Sequence, residues 1–257
     1  MSQYRFIRIA IVVMTLGAVL HAQPAPEHLR HADEAYSARK SDEALVHLLR
    51  AIAMDPVNYE AQWKASRSAV DLAEGSGSSA NKRLLDSAEN YALAAVRLHP
   101  GGADGHFALA RALRHRTLGA GVRDRARFAE AIRSEALAAL QADPQHPGAL
   151  HSLGMWHADL MRINGMSRKF AMWFLGSDLL ELASWDEAQQ LLEEAVRVEP
   201  GRIIHRLELA GIYADRGDKP RAREIYMWIA SAPLVYPNDD LYKRQAADRL
   251  ERLGTKS

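Results

Sequence analysis

The sequence predicts an all-α fold, a right-handed superhelical solenoid of stacked helix pairs. Three observations predict it: one amphipathic helix pattern recurs along the chain, a second helical pattern precedes each copy, and a proline ends most copies. A single apolar stripe is too little to fold alone, so the copies must pack side by side and bury a continuous core. We therefore expect the chain of 257 residues to form one helical domain at residues 23–257, which follows a leader at residues 1–22.

The clearest copy lies at residues 184–201, SWDEAQQLLEEAVRVEPG. Ser184 and Glu187 have the spacing of a capping box. In this motif the serine hydroxyl accepts a hydrogen bond from a backbone N–H of the first turn, and the glutamate side chain accepts one from the backbone N–H of the serine. Small and aliphatic residues then recur every three or four positions, and the polar ones fall opposite. Pro200 and Gly201 end the helix.

Other segments repeat this helix. Residues 41–56 align with it, proline on proline, so that Ala44, Leu48 and Ala51 take the positions of its small and leucine residues. The same spacing recurs in three further segments, 87–102, 134–144 and 220–230. The chain therefore contains five copies of one helix.

A different helical pattern precedes each copy. At residues 203–218, Leu209, Ala210 and Tyr213 come before Gly217, and residues 150–160 have a similar order. This is the tetratricopeptide arrangement, in which a W-x2-L-G-x2-Y segment precedes an A-x3-F segment and a proline. Small residues at the Ala and Gly positions let neighbouring helices approach closely.

The units are longer than usual tetratricopeptide repeats, because Pro56, Pro100 and Pro144 are 44 residues apart and Pro200 follows 56 later. A HEAT-like array, with a period of about 40–47 residues, is the structural alternative. The Ala-x3-large-x2-Ala spacing and the terminal prolines favour the tetratricopeptide interpretation. Connecting loops must accommodate the excess length. Residues 74–83 are rich in Gly and Ser, and residues 117–124 contain Gly, as is typical of such connections.

Two segments fall outside the repeated pairs. An insertion at residues 163–183 is rich in aromatic and aliphatic residues, among them Trp173 and Leu180. It either packs between the two helices of the fourth unit or forms a docking surface for a partner or a membrane. Residues 238–253 predict a final helix that caps the stack of about five pairs.

The N-terminus predicts a secretory signal peptide. Arg5 and Arg8 precede an apolar run at residues 9–20, and the small Ala22 follows. This run of 12 residues is shorter than the ~20 needed to cross a bilayer. We expect cleavage after Ala22 and export to the periplasm or the medium. The alternative is a membrane-anchored adaptor that retains its apolar segment.

Composition excludes several classes of function. The chain has no cysteine, which removes disulfides, thiolate metal sites and cysteine nucleophiles. Its formal net charge is +1, from 33 basic and 32 acidic residues, and no nucleic-acid-binding motif occurs. We therefore expect no nucleic-acid partner.

No segment predicts catalysis. Gly75, Gly77 and Ala80 have the G-x-G-x-x-A spacing of a dinucleotide-binding turn, but a helical pattern precedes them where a strand is required. His28 and His31 share a helix face, yet a third metal ligand at matching spacing is missing. We expect a protein that is not an enzyme and that has no catalytic residues, cofactor or metal.

The C-terminal half resembles the regulator of microtubule dynamics family. The residues that carry the resemblance are Leu153, Gly154, Trp156, Ser167, Arg168, Lys169, Ala171, Phe174, Gly176, Trp185, Glu187, Ala188 and Pro233. It implies a tetratricopeptide-like domain that acts as a protein-protein interaction scaffold. The predicted secretory leader argues against assigning the cytoskeletal partner of that family to this chain. The sequence therefore does not identify the partner.

The same resemblance implies where a protein or peptide partner binds. In tetratricopeptide-like stacks the first helix of each pair lines a concave groove, and the family register places six residues there: Lys64, Arg111, Arg114, His115, His151 and Asp215. Most are cationic or can become so, which suits contacts with an acidic segment. Alternatively, they are scattered surface charges. If Arg111 and Arg114 are exposed in the groove, replacing both by alanine should change the free energy of unfolding by no more than about 1 kcal/mol.

Overall fold

The computed structural model of the protein describes residues 25–75, 78–117, 122–163 and 177–255. Within these ranges the chain forms twelve α-helices and no β-strand. The helices are α1 (Ala25–Ser37), α2 (Ser41–Met54), α3 (Tyr59–Gly75), α4 (Ser78–Leu98), α5 (Ala103–Thr117), α6 (Val122–Ala142), α7 (Pro147–Met161), α8 (Ser177–Glu181), α9 (Trp185–Val198), α10 (Ile203–Asp215), α11 (Lys219–Ser231) and α12 (Asp239–Thr255).

The helices pack as five successive pairs and a final helix. The pairs are α1 with α2, α3 with α4, α5 with α6, α7 with α9, and α10 with α11, while α12 lies against α10 and α11. The first helices α3, α5, α7 and α10 also contact one another in succession, so they share one face of the stack. The predicted helical solenoid and its capping helix are confirmed.

Small residues set the distance between the helices of a pair. Ala44, Ala88 and Ala188, which occupy one register position in three second helices, are at most 1% exposed. At Gly154 of α7, an added Cβ would lie 2.3 Å from Leu192 Cδ2 of α9. The alanine and glycine spacing in the sequence is therefore a packing requirement.

The cap of α9 differs from its prediction in one bond. Ser184 Oγ accepts from the backbone N–H groups of Asp186 and Glu187, at 3.1 and 3.4 Å, as predicted. The backbone N–H of Ser184 donates to His157 Nδ1 at 3.2 Å, so His157 of α7 takes the place predicted for Glu187. This bond ties the start of α9 to its partner helix.

The segment between α11 and α12 turns the chain back towards the first repeats. The buried carboxylate of Asp239 accepts from the backbone N–H groups of Val235 and Tyr236, at 2.8 and 2.7 Å. Asn238 adopts a positive φ of 66° at the same turn, a conformation that asparagine tolerates better than most residues. We call residues 235–242 the crossing segment.

Several sequence-based predictions lie outside the described residues. They concern the leader at 1–22 and most of the insertion at 163–183, including Trp173. At the end of the insertion, Leu180 is buried in a cluster with Trp156 and Ile163. Among the helices that the structure describes, none is both long and apolar enough to cross a membrane.

Candidate functional site: the concave groove

The crossing segment bridges the concave groove that α3, α5, α7 and α10 line. Tyr242 Oη donates to Glu74 Oε2 at 2.6 Å, and Asn238 Nδ2 donates to the same oxygen at 2.8 Å. Asn238 also donates to the backbone oxygen of Asp71 at 2.9 Å. These bonds join the last helix and the residue before it to the C-terminal end of α3, so the end of the chain contacts the second helix pair.

Glu74 is the centre of this bridge. Besides Tyr242 and Asn238, its carboxylate receives Arg111 Nη2 at 3.5 Å and His115 Nε2 at 3.1 Å. Burial and the nearby Glu74 raise the pKa of Tyr242 well above its ordinary value, which keeps the phenol protonated as a donor. Burial, together with Arg111, lowers the pKa of His115, which keeps its imidazole neutral. The bridge is thus one carboxylate held by four side chains.

Arg111 is fixed by a deeply buried carboxylate. Its Nη2 lies 2.6 Å from Asp71 Oδ1, and the side chains of Arg111 and Asp71 are 14% and 2% exposed. Burial alone would lower the pKa of Arg111, but Asp71 and Glu74 raise it. Arg114 is held in the same way by Asp159, with Nε 3.0 Å from Oδ2. Both arginines are therefore structural ion-pair partners and not free surface cations.

The bridge divides the groove into two cavities. The inner cavity, of about 410 Å³, lies between the first repeats and the start of α10, and the outer cavity, of about 730 Å³, lies beside α4 and α12. Glu74, Arg114, His115 and Tyr242 line both, so the bond between Tyr242 and Glu74 is part of the wall between them.

The inner cavity is rich in aromatic and cationic side chains. The Arg67 guanidinium lies 3.5 Å from the ring centroid of Tyr36, and that of Arg202 lies 3.8 Å from the ring centroid of Tyr236. Within the described ranges, neither arginine forms an ion pair with a carboxylate. Such stacking fixes a guanidinium while its N–H groups remain available in its plane.

Two neighbouring histidines, His151 and His205, form part of the wall of the inner cavity. His151 Nδ1 and His205 Nδ1 are 3.0 Å apart, and His205 Nε2 is 3.1 Å from Glu199 Oε2. Burial lowers the pKa of both imidazoles, and for His151 the proximity of His205 and of Arg114 lowers it further. Two protonated rings at this distance would repel each other, so the two imidazoles are not protonated together in the folded protein.

The outer cavity is bordered by arginines that each hold a carboxylate. Arg116 Nη1 lies 2.9 Å from Asp86 Oδ1, and Arg249 Nη2 lies 3.1 Å from Glu208 Oε1. Exposed Lys82 lies on the same border. Its surface is therefore charged and only partly neutralised by fixed partners.

The structure separates the six residues predicted for the groove. Arg111, Arg114, His115 and His151 line the cavities. The two others lie in ion pairs elsewhere: Lys64 Nζ is 2.6 Å from Asp33 Oδ1 of α1, and Asp215 Oδ2 is 2.8 Å from Arg162 Nη2. Lys64 is buried in its ion pair. A role of these six residues in binding stays a prediction.

Sequence reasoning missed the residues that shape the groove. Glu74 stands at the end of α3 and Tyr242 in the capping helix, and no periodicity relates two positions 168 residues apart. Arg67 lies on α3 and Arg202 directly precedes α10, and the two have no motif in common. Trp63, one helical turn before Arg67, was the available signal for that arginine, since arginines stack on such rings. The stacked rings of Tyr36 and Tyr236 are distant in the sequence from the arginines they contact.

Three histidines lie close together on α1 and α2 at the N-terminal end of the stack. His47 of α2 lies against both histidines of α1 that the sequence singled out, with His28 Nδ1 and His47 Nδ1 3.1 Å apart. His31 is instead close to Glu34, with 3.2 Å between Nδ1 and Oε2. Among the described residues, no group of three or more possible ligands has the geometry to hold a metal ion.

Comparisons with known proteins agree with this architecture. A family model described as regulator of microtubule dynamics protein 1-3 matches residues 28–254, which confirms the resemblance seen in the sequence. A thermophilic TPR protein of Thermus thermophilus has 20% sequence identity and a TM-score of 0.65, over 88% of this chain and 99% of that one. None of the curated proteins compared with the chain matches it.

A second solved structure, a monomeric mutant of IFIT1 with Gppp-AAAA, has 18% identity and a TM-score of 0.50. The alignment covers 85% of this chain and 52% of that one, so the chain spans about half the length of IFIT1. At these identities both likenesses concern the fold.

Proposed function

The chain belongs to the regulator of microtubule dynamics protein 1-3 family, and on that premise we propose that it is a non-enzymatic protein-protein interaction scaffold that acts after export. The tetratricopeptide-like fold supports the scaffold role, because stacked helix pairs present an extended concave surface to partners. The leader, with Arg5 and Arg8 before an apolar run at 9–20, supports export. The partner is a protein or peptide.

The partner-binding surface we propose is the border of the outer cavity. The observation that carries this is the exposure of Arg116, whose side chain is 29% exposed and whose Nη1 lies in ion pairs with Asp86 and Glu89. A guanidinium has five N–H donors, so the remaining ones can bind carboxylates of a partner. Exposed Lys82 adds a second cation on the same border. The partner segment that fits is acidic.

The inner cavity is a less suitable place for a continuous peptide. The bonds of Asn238 and Tyr242 to Glu74 cross the groove, and an extended segment lying along the whole groove would have to break them. The outer cavity is larger, and part of its border is exposed. A partner can therefore bind there without opening the bridge.

Site-specific photo-crosslinking tests this proposal. A benzophenone amino acid replaces Gln245, which lines the outer cavity on α12, and a matched control carries it at exposed Gln190 of α9. We expect one partner to be captured from Gln245 and not from Gln190 in the exporting host. Combining Arg116→Glu with Lys82→Glu should abolish that capture, because the reversed charges repel an acidic segment. Equal capture from both positions, or capture insensitive to the charge reversal, would contradict the proposed surface.

A further inference from the structure

The inner cavity has the dimensions and the wall of a small-molecule site. Its volume of about 410 Å³ lies within the ~300–1,000 Å³ typical of ligand pockets. Aromatic side chains form much of the wall, and the bridge between the crossing segment and α3 closes one side. Among the described residues, five aromatic ones line the cavity: Tyr36, Trp63, Phe107, Tyr236 and Tyr242.

Every carboxylate that lines this cavity already has a polar partner. Glu74 is held by the bridge, Glu199 Oε2 is 3.1 Å from His205 Nε2, and Asp104 Oδ1 is 3.4 Å from His146 Nε2. The arginines that line the cavity fall into two groups, those with a carboxylate partner and those without one in the described parts of the chain. Arg111 and Arg114 are bound to carboxylates behind the wall.

Arg67 and Arg202 are the two lining cations that have no carboxylate within ion-pair distance in the described parts of the chain. They come from α3 and from the residue before α10, and each is held against a tyrosine ring. Arg67 Nε is buried and has no hydrogen-bond partner among the residues that the structure describes. Buried polar atoms are seldom left unpaired, so an unpaired donor at a cavity wall points to a ligand.

We propose that the inner cavity is a binding site for a compact organic carboxylate with a flat apolar body. The carboxylate is bound by Arg67 and Arg202, whose planar N–H groups match its two oxygens. The apolar body lies among the aromatic side chains of the wall, including Trp63 and Phe107. The ligand is compact because the cavity ends at the bridge between Tyr242 and Glu74. This site is additional to the partner-binding surface on the outer cavity.

Isothermal titration of the purified protein with 2-naphthoate tests the site. Two probes isolate the features of the ligand: 2-naphthamide keeps the rings without the charge, and acetate keeps the charge without the rings. We expect 2-naphthoate to bind at one site per chain and at least about tenfold more tightly than either probe, as expected for a charge-assisted pair together with apolar burial. Equal affinity for 2-naphthoate and 2-naphthamide, or for 2-naphthoate and acetate, would overturn the proposal.

Variants locate the site. Arg67→Gln and Arg202→Gln should each weaken 2-naphthoate binding by about tenfold or more, since they remove the charge and the paired donors. The matched control is Arg206→Gln on α10, because Arg206 stacks on Trp228 and donates to Pro200 O outside the cavity. Binding should be unchanged in this control, and all variants should keep the melting temperature of the wild type within a few degrees.

Two further outcomes decide the matter. No heat of binding with 2-naphthoate at millimolar concentration, on protein that melts cooperatively, would overturn the site. Equal weakening in Arg206→Gln would also overturn it. The variant that combines Arg116→Glu with Lys82→Glu should bind 2-naphthoate normally, so failure of the partner surface and failure of this site are distinguishable.

Discussion

Tyr242 and Glu74 are 168 residues apart in the sequence, and a hydrogen bond of 2.6 Å joins their side chains across the concave groove. Tetratricopeptide-like stacks are quasi-one-dimensional, because each repeat contacts its neighbours. Here the helix after the last pair returns to the second pair, and Asp240 also lies 3.3 Å from Arg39 between α1 and α2. The stack is therefore closed on its concave side, and its groove consists of two cavities.

The structure changes what we expect from removing Arg111. Asp71, its partner at 2.6 Å, is 2% exposed, and Asp71 Oδ2 has no hydrogen-bond partner in the described part of the chain. Arg111→Ala leaves this carboxylate buried and unpaired, which should reduce the free energy of unfolding by about 3–5 kcal/mol. A change within about 1 kcal/mol when Arg111 and Arg114 are both replaced by alanine, as the sequence predicts, requires exposed arginines.

Urea unfolding measures this difference. The control is Arg197→Ala, because Arg197 is 61% exposed in its pair with Glu194 and its loss should change the free energy of unfolding little. Equal small effects in both variants would show that Asp71 does not depend on Arg111.

The paired histidines predict a dependence of stability on pH. Burial lowers the pKa of His151 and His205 in the folded protein below the ordinary value of 6.5. Their neutral pairing stabilises the fold above pH 6.5, and below it the unfolded chain takes up protons first. The free energy of unfolding should therefore fall as the pH decreases from 6.5 towards the folded pKa values.

Urea midpoints at a series of pH values from 7.5 to 5.0 test this prediction, with His151→Gln as the comparison. The variant removes one titrating ring, so its stability should fall less steeply with acidification than that of the wild type. Other charged or titratable groups near the pair, namely His115, Arg111, Arg114 and Glu199, are present in both proteins. Identical slopes would exclude the histidine pair as the source.

Gly154 predicts a steric limit between α7 and α9. Alanine normally stabilises a helix interior by about 1 kcal/mol relative to glycine. At this position its Cβ would lie 2.3 Å from Leu192 Cδ2 and 3.2 Å from the backbone oxygen of Ala188. Gly154→Ala should therefore destabilise the protein, by about 1–3 kcal/mol. In Gly101→Ala, where an added Cβ meets nothing within 4 Å, the free energy of unfolding should change little; a stabilised Gly154→Ala would contradict the packing.

Export predicts a processed chain. The leader pattern places cleavage after Ala22, so the intact mass of material from an exporting host should correspond to a chain that begins at Gln23. That material should be recovered without detergent. A full-length mass in the membrane fraction would instead support the anchored adaptor.

The repeated pairs were predictable because their signals are local. The spacing of Ala44, Leu48 and Ala51 reports which side of a helix is buried, and all three are at most 1% exposed in the structure. Proline and glycine marked the ends of the helices in the same way. These features depend on neighbours within a few residues, so they can be read from one sequence.

The candidate site could be predicted only in part. The helix register placed Arg111 and His151 on the concave side, where both line a cavity. It could not show that Asp71 neutralises Arg111, because a register gives the direction of a side chain and not its partner. The bridge from Tyr242 to Glu74 depends on the path of the whole chain, for which no local pattern exists.

The coupling free energy between Tyr242 and Glu74 is the measurement that tests the closed groove most directly. Urea unfolding of the wild type, Tyr242→Phe, Glu74→Gln and the double variant forms a double-mutant cycle. A hydrogen bond between a phenol and a carboxylate predicts a coupling of about 1–3 kcal/mol. Effects that add within about 0.5 kcal/mol would mean that the two side chains do not meet in solution, and would contradict both the bridge and the enclosed inner cavity.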